Sequence, residues 1–457
     1  MDFSDAAFRI LLCFRYHGTH MWKFLREHAG QHRILGGAAV LAVTQAGASV
    51  TGLVRDRLLN QTFNADLGIV DAYIASFRPS DLLFQLTIMA GISTVLVPLL
   101  TRAQNGGESS KLLSSVMGIG SLVFGFIALV GAFAFPFIAP ILVDFDGETL
   151  ALYVQFGQLA LFTNFLFVCG NSLGQYLITV QKYWLYGVTP IFYTLGTIVG
   201  TVFVTPFVGA MGPMYGTVGG AIVYVIVRFA GAIHAGYRPS LQFWHPELST
   251  MGVLMLPRMA ALAVLQLQLL LFDTLASGLP AGSVTINSNA RNFQSFVVGV
   301  IGIALAQSAF PLLSQAAARG EKDRFVLYVR KGVLIIIGLT IPAAIALVLA
   351  TPIAVRLVNL EDVYMPFAAA LMVYALSIPF ESLNHLVLRS YYALHVTALP
   401  AVMSVLNGGL AIAAAWILAP HIGIQAIPAG FLIGQAVSLI GLLVLLPFAT
   451  RRTLSTR

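Results

Sequence analysis

Several ionisable residues stand within long apolar stretches of this sequence, where charge is otherwise rare. They are Arg55, Asp56, Asp71, Arg78, Arg258, Arg291 and Glu381. At membrane depth an ionisable side chain costs several kcal/mol unless it faces water, a ligand or an opposite charge. Arginine presents a planar fork of donors that fits phosphate oxygens. The pattern therefore predicts a cavity that binds an anion, with Arg55, Arg78 and Arg291 on its wall.

The same charges also fit a purely structural interpretation. Asp71 and Arg78 lie seven residues apart, on one face of a helix and two turns apart, so they could pair with each other. Asp56 could pair with Arg55 or Arg57. In this interpretation the ion pairs only hold helices together.

Two of these residues have open roles. Arg258 belongs either to the cavity or to a helix end whose arginine reaches the lipid headgroups. Glu381 is either a buried structural acid or a residue that couples transport to an ion. The two cysteines, Cys13 and Cys169, give no disulfide framework, and the sequence has no CxxC, HExxH or phosphate-loop motif. We therefore expect a protein that is not an enzyme, with no catalytic residue, no metal and no cofactor, and with an unidentified coupling ion.

The composition is that of an integral membrane protein. Apolar residues make up 58% of the chain and charged residues 9%, whereas a soluble protein has roughly 25% charged residues. Apolar runs of about 20 residues span the hydrocarbon core, and their backbone must be helical there. We predict an all-α integral membrane fold with about twelve transmembrane helices in two six-helix lobes. The helices are expected at 34–57, 69–101, 112–141, 150–181, 183–207, 214–233, 251–272, 282–317, 333–350, 364–388, 397–418 and 424–447.

Basic residues are distributed unevenly between the two sides of the predicted bundle. With the N-terminus inside, 19 of the 25 Lys and Arg residues fall inside and three fall outside, as the positive-inside rule requires. Acidic residues such as Asp146 and Glu361 occupy outer loops. We therefore place both termini in the cytoplasm, and we attribute the net charge of +7 to topology and anionic lipid rather than to nucleic acid.

The two halves of the chain resemble each other. In each half an arginine precedes Pro-Leu-Leu by 20 residues, from Arg78 to Pro98 and from Arg291 to Pro311. An even number of predicted helices separates the copies, so the repeat is parallel, and transporters of this kind bind substrate between their halves. The predicted parts are a cytoplasmic or interfacial N-terminal segment (1–33), an N-lobe (34–233), an inter-lobe linker (234–250), a C-lobe (251–448) and a cytoplasmic tail (449–457).

Three blocks of motif occur in order along 34–448. The first is Gly52-Leu53-Val54-Arg55-Asp56, followed by Asp71-Ala72-Tyr73 and Arg78-Pro79-Ser80-Asp81-Leu82-Leu83; the second is Gly282-Ser283-Val284, Ala290-Arg291, Gly302-Ile303-Ala304-Leu305 and Pro311-Leu312-Leu313-Ser314; the third is Arg389-Ser390-Tyr391-Tyr392-Ala393-Leu394 with Thr397 and Pro400. Each block is weak alone, but the ordered set resembles the MurJ/MviN family of lipid II flippases, within the larger group that contains the MATE exporters.

This resemblance implies two six-helix lobes around a basic central cavity, in a multi-pass protein of a bacterial inner membrane. It implies that a lipid-linked disaccharide-pentapeptide is turned over from the inner to the outer leaflet. It also gives cavity roles to Arg55, Asp56, Asp71 and Arg291. The chain has Ser49, Phe84 and Gln85 where the family often has arginines, so the substrate is either lipid II or another polyprenyl-pyrophosphate saccharide. Many members have two further helices, whereas this sequence ends soon after its twelfth expected helix.

Two other functions remain open from the sequence. The first is a MATE-like exporter of cationic drugs coupled to Na⁺ or H⁺, which should line its cavity with acids rather than arginines. The second is a non-transporting membrane scaffold for cell-wall synthesis. For the flippase we expect a lipid-linked anionic substrate and membrane lipids as partners, no nucleic acid, and a monomer that works beside cell-wall synthesis proteins.

Overall fold

The computed structural model of the protein describes residues 33–92, 95–103 and 108–454. Within these ranges the chain is helical, and none of these residues lies in a β-strand. The helices are α1 (Arg33–Thr62), α2 (Leu67–Phe84), α3 (Leu96–Ala103), α4 (Ser109–Leu142), α5 (Gly147–Thr179), α6 (Tyr183–Val199), α7 (Gly212–His234), α8 (Glu247–Ser277), α9 (Ser283–Val297), α10 (Ala304–Ala318), α11 (Lys322–Leu349), α12 (Thr351–Val358), α13 (Tyr364–Ala393), α14 (Ala398–Ile422) and α15 (Ala426–Leu454). Of the predicted N-terminal segment 1–33, only Arg33 is among the described residues.

The described helices form eight apolar runs that are long enough to cross a membrane. Two of these runs, Tyr183–His234 and Ala398–Leu454, each contain two helices joined by a turn and therefore cross twice. The helices α1 and α8 have 30 and 31 residues, and a crossing needs about 20. Together these crossings agree with the predicted number of about twelve and confirm the all-α membrane fold.

Large apolar side chains cover the outside of the bundle rather than its core alone. On α4, Phe133, Phe137 and Ile141 are 74%, 80% and 79% exposed. A soluble protein does not expose a contiguous apolar surface of this kind, whereas hydrocarbon solvates it without penalty. The outer faces of these helices are therefore lipid-facing surfaces.

Matching distortions of the backbone confirm the internal repeat. A π-helical turn at Gln85–Met89 continues α2, and another at Val298–Ile303 joins α9 to α10. The first residues of these turns are 213 residues apart, which is also the separation of Arg78 and Arg291. A π turn is rare in an α-helix, so its occurrence at equivalent positions is strong evidence that the halves share one ancestral fold.

The last two helices of each lobe repeat the same hairpin. Gly209 with φ 63° follows α6, and Gly423 with φ 58° follows α14; each begins a 3₁₀ turn that leads into the next helix. The hairpins are also closed by glycines without which the helices could not approach so closely. A Cβ at Gly216 of α7 would collide with the backbone of α6, and a Cβ at Gly430 of α15 would collide with the backbone of α14. Small residues of this kind allow close helix packing in lipid.

Arg228 of α7 is a basic residue that the sequence places among the inside-facing cations, but the structure buries it within the first lobe. It is 2% exposed. Its Nε donates to Thr189 Oγ1 at 2.7 Å, and Nη1 donates to the carbonyl of Gly170 at 2.8 Å and to the hydroxyl of Tyr224. The guanidinium also stacks on the Tyr186 and Tyr224 rings, 5.0 and 4.2 Å from their centroids. Because its donors are satisfied by neutral groups, Arg228 joins α5, α6 and α7 rather than facing a substrate.

Candidate substrate cavity between the lobes

A cavity of about 580 Å³ lies between the second half of α1 and the second half of α9. Because α1 belongs to the first lobe and α9 to the second, the cavity lies between the lobes. Its wall is mostly apolar with a few polar groups. The lining residues are Ser49, Val50, Gly52, Leu53, Arg55, Asp56, Asn289, Asn292, Phe293, Ser295 and Phe296.

Arg55 and Asp56 form the charged part of this wall, as the sequence suggested. Arg55 Nε and Nη2 donate to Asp56 Oδ1 at 2.9 and 2.6 Å. Across the cavity, Asn292 Nδ2 of α9 lies 3.5 Å from Asp56 Oδ2. The side chains of Arg55 and Asp56 are 28% and 15% exposed. Asp56 therefore compensates the charge of Arg55, and further N–H groups of the guanidinium are available to a ligand.

Arg78 pairs with an acid that the sequence reasoning overlooked. Its Nε lies 2.6 Å from Asp273 Oδ2 on α8, and the two side chains are 22% and 3% exposed. The expected pairing of Asp71 with Arg78 is therefore wrong. A signal existed in the sequence, since Asp273 is an isolated acid in the apolar run of α8. The pair joins the first lobe to the second.

Arg291 has a different environment from its repeat counterpart. Its guanidinium lies 4.7 Å from the centroid of the Phe431 ring on α15. Its Nη1 is buried without a hydrogen-bond partner, and no carboxylate among the described residues lies within 4.0 Å of it. A cation over an aromatic face is attracted by the ring, but the unpaired donor still requires an acceptor. This geometry leaves Arg291 able to bind an anion.

Tyr374 of α13 connects Arg78 and Arg291. Its hydroxyl donates to Asn287 Oδ1 at 2.7 Å and lies within electrostatic range of both arginines and of Asp273. The two repeat-related arginines therefore approach a common region. Neither of them is among the residues that line the 580 Å³ cavity, so the expectation of one wall shared with Arg55 is corrected to two neighbouring polar regions on different faces of α9.

Asp71 joins the two lobes instead of lining the cavity beside Arg55. It is 2% exposed. Its Oδ2 accepts from the Gly282 N–H at 2.7 Å, and its Oδ1 accepts from the Thr285 N–H at 2.7 Å and from the Thr285 hydroxyl at 2.6 Å. These donors lie at the start of α9, where the unpaired N–H groups and the helix dipole favour a negative charge. Asp71 thus caps a helix of the opposite lobe.

Other contacts join the lobes at the same end of the bundle, which we call the acidic end because its loops contain Asp144, Asp146, Glu361 and Asp362. Asn60 Nδ2 of α1 donates to the Val358 carbonyl of α12 at 2.7 Å. Arg57 Nη1 donates to the carbonyl of Arg356. The Asp144 N–H donates to Ser277 Oγ at 2.8 Å. With the Asp71 cap, these bonds hold the lobes together beyond one end of the cavity.

The remaining predicted site residues lie apart from the cavity. Glu381 of α13 accepts from Gln294 Nε2 of α9 at 2.5 Å, and Gln294 is fully buried. The same amide group lies 3.2 Å from Ser377 Oγ. Glu381 therefore belongs to a polar cluster inside the second lobe. The side chain of Arg258 lies outside the described part of the structure. Among the side chains that are described, no group of three or more His, Cys, Asp or Glu could hold a metal ion.

Comparison with known proteins gives a consistent result. The lipid II flippase MurJ family matches residues 59–456. A probable lipid II flippase MurJ of Bdellovibrio bacteriovorus is 25% identical over 434 residues, which cover 90% of this chain and 82% of that protein. The lipid II flippase MurJ of Burkholderia cenocepacia is 26% identical over 328 residues, which cover 68% of this chain and 63% of that protein.

Solved structures agree in fold. A lipid II flippase MurJ in an inward closed conformation aligns with a TM-score of 0.75 and 20% identity, over 89% of this chain and 87% of that one. An inward-facing multidrug resistance MATE transporter aligns with a TM-score of 0.73 and 14% identity, over 90% of this chain and 95% of that one. The match to the family over most of the length, on this two-lobed fold, shows that the chain belongs to the MurJ family of lipid II flippases.

Proposed function

We propose that this protein moves lipid II, or a polyprenyl-pyrophosphate saccharide of the same class, from the inner to the outer leaflet of a bacterial inner membrane. The observation that carries the proposal is Arg291, a guanidinium between helices whose buried Nη1 has no partner among the described residues. An arginine stays charged in proteins, so it favours an anionic ligand at this depth. A pyrophosphate meets that need.

The contacts between the lobes support an alternating-access mechanism. The Asp71 cap and the Asn60 bond hold the lobes together at the acidic end. If the acidic end faces outward, as the distribution of basic loops favours, this arrangement is one in which the outer side is closed. A substrate whose pyrophosphate bridges Arg291 and Arg55 would neutralise both lobes and favour their closure around it. Opening of the acidic end would then release it to the outer leaflet.

Glu381 is the residue that we propose for coupling to an ion. Its carboxylate lies in a polar cluster of the second lobe with Gln294 and Ser377. Binding of a proton or a metal cation there would change the charge of α13, which also carries Tyr374 beside Arg291. Such a change could alter the affinity of Arg291 for an anion. This chain has no phosphate-loop motif in its sequence, which favours an ion or the membrane potential as the energy source.

The proposal is tested by complementation in a bacterium whose own lipid II flippase can be depleted. An impermeant probe would measure how much lipid II reaches the outer leaflet. Arg291→Ala should lower this amount at least tenfold, while the purified protein keeps its Tm within a few degrees. Arg324→Ala is the matched control, because Arg324 is an exposed arginine of the same lobe that pairs with Glu321 at 3.0 Å. Full activity of Arg291→Ala would overturn the proposal.

The MATE-like export of cationic drugs is less well supported. Such a cavity should present acids to its cargo, whereas the buried Asp273 is already paired with Arg78 and Asp71 is used as a helix cap. A cell that expresses the protein should therefore show no increase in resistance to cationic dyes. A role as a scaffold for cell-wall synthesis predicts that Arg291→Ala still complements, which the same experiment measures.

A further inference from the structure

A groove of about 310 Å³ opens between the start of α11 and the end of α15. It combines two kinds of surface. Lys322, Arg330 and Arg451 supply basic groups, while Phe325, Val329 and Leu446 supply an apolar floor. We propose that this groove binds an anionic phospholipid of the membrane, with the phosphodiester between the basic groups and one acyl chain along the floor.

The spacing of the residues on α11 supports this arrangement. Lys322 and Arg330 are eight residues apart, which places them on one face of the helix and about 12 Å apart along its axis. Phe325 and Val329 lie between them on that face. An amphiphile with a charged head and an apolar chain therefore meets matching groups along the groove, whereas a free phosphate ion would use only the basic ones.

The charges in the groove also favour an anion. Arg324, which is not part of the groove, has an acidic partner in Glu321 at 3.0 Å. In the ranges that the structure describes, Lys322 and Arg330 have no carboxylate within 4.0 Å. Both residues are exposed, so they can reach a headgroup without moving a neighbouring helix.

The position of the groove is suitable for a headgroup. It lies where α11 begins and α15 ends, at the end of the bundle opposite the acidic end. Long basic side chains near helix ends reach the interface while their stems stay on apolar surface. Basic pockets between transmembrane helices are known to bind anionic headgroups. The occupant would link α11 to α15 at the edge of the second lobe.

The full chain in lipid nanodiscs provides the test. Phosphatidylglycerol and phosphatidylcholine would be compared by native mass spectrometry, which counts the lipids retained after release. The variant Lys322→Gln with Arg330→Gln removes two charges from the groove. The control Arg319→Gln with Arg324→Gln removes two charges from exposed residues nearby that do not line it.

The wild-type protein and the control should retain phosphatidylglycerol in preference to phosphatidylcholine. The groove variant should bind phosphatidylglycerol about tenfold more weakly, since each basic residue near an anionic surface contributes about a fivefold factor. Equal losses in the groove variant and the control would overturn the proposal, because they would indicate only the general charge of that surface. Unchanged retention in the groove variant would overturn it as well. The readout is lipid retention, so it does not depend on transport of lipid II.

Discussion

Arg78 and Asp273 form an ion pair that joins the two lobes, with 2.6 Å between Arg78 Nε and Asp273 Oδ2. Its counterpart in the second half is different, because Arg291 lies over the Phe431 ring and has no carboxylate within 4.0 Å among the described residues. The duplicated arginine has therefore taken two roles. In the first half it is a partner of a buried acid, and in the second half it is available to an anion.

Removal of Asp273 should destabilise the protein strongly. Asp273→Ala leaves Arg78 partly buried without its acid, which costs about 2–4 kcal/mol and should lower the Tm by several degrees in detergent. The double variant Arg78→Ala with Asp273→Ala should recover part of that loss, because it removes the uncompensated charge. A double-mutant cycle measures the coupling. Additive losses in the cycle would show that the two side chains contribute independently.

Replacement of Asp71 should loosen the acidic end. Asp71→Asn keeps the shape but loses the charge that caps α9, at a cost of about 1–2 kcal/mol. The ratio of closed to open molecules should fall roughly five- to thirtyfold. Spin labels at Gln61 and Leu357, with Cys13 and Cys169 replaced, would report this as a longer distance by electron paramagnetic resonance.

Asp66→Asn is the control for this experiment. Asp66 also caps a helix, since its Oδ1 accepts from the Gly68 N–H at 3.0 Å, but that cap lies within the first lobe. It should leave the distance distribution unchanged. A shift of equal size in both variants would mean that the acidic end responds to any loss of charge, and not to the inter-lobe cap.

The conservative change Arg291→Lys should restore only part of the activity that Arg291→Ala loses. A lysine keeps the positive charge but lacks the planar fork that binds two phosphate oxygens at once. We expect about a tenfold decrease in affinity for lipid II, measured with purified protein, and partial complementation. Affinity equal to that of wild type would show that charge alone is sufficient.

The orientation of the bundle can be measured directly. With the native cysteines replaced, single cysteines at Asp146 and Glu361 should react with an impermeant maleimide added from outside. Cysteines at Arg319 and Arg452 should react only after the membrane is opened. Outside labelling at Arg319 would reverse the proposed topology.

The sequence predicts the helices well and their partners poorly. The expected helix at 282–317 corresponds to Ser283–Ala318 with its π turn, and the one at 364–388 begins at Tyr364 but extends to Ala393. Apolar runs locate each crossing because lipid demands them, but a helix continues beyond the lipid where polar residues allow it. The predicted tail at 449–457 is helical as far as Leu454 for this reason.

Contacts between distant residues were beyond this kind of reasoning. Arg78 and Asp273 are far apart in the chain, and only the packing of α2 against α8 brings them together. The same holds for Asp71 with the start of α9, and for Glu381 with Gln294. Spacing along one helix suggested Asp71 as the partner of Arg78, because it can reveal only neighbours on that helix.

The paired π turns have a further consequence for the tolerance of the chain to insertions and deletions. Each residue in an α-helix turns the chain by about 100°, and a π turn accommodates one extra residue. Loss of one residue from Gln85–Met89 or Val298–Ile303 would rotate everything that follows in the helix by that angle relative to what precedes it. Pro98 or Pro311 would then face a different neighbour. At these two places, the number of residues constrains the chain more than their identity does.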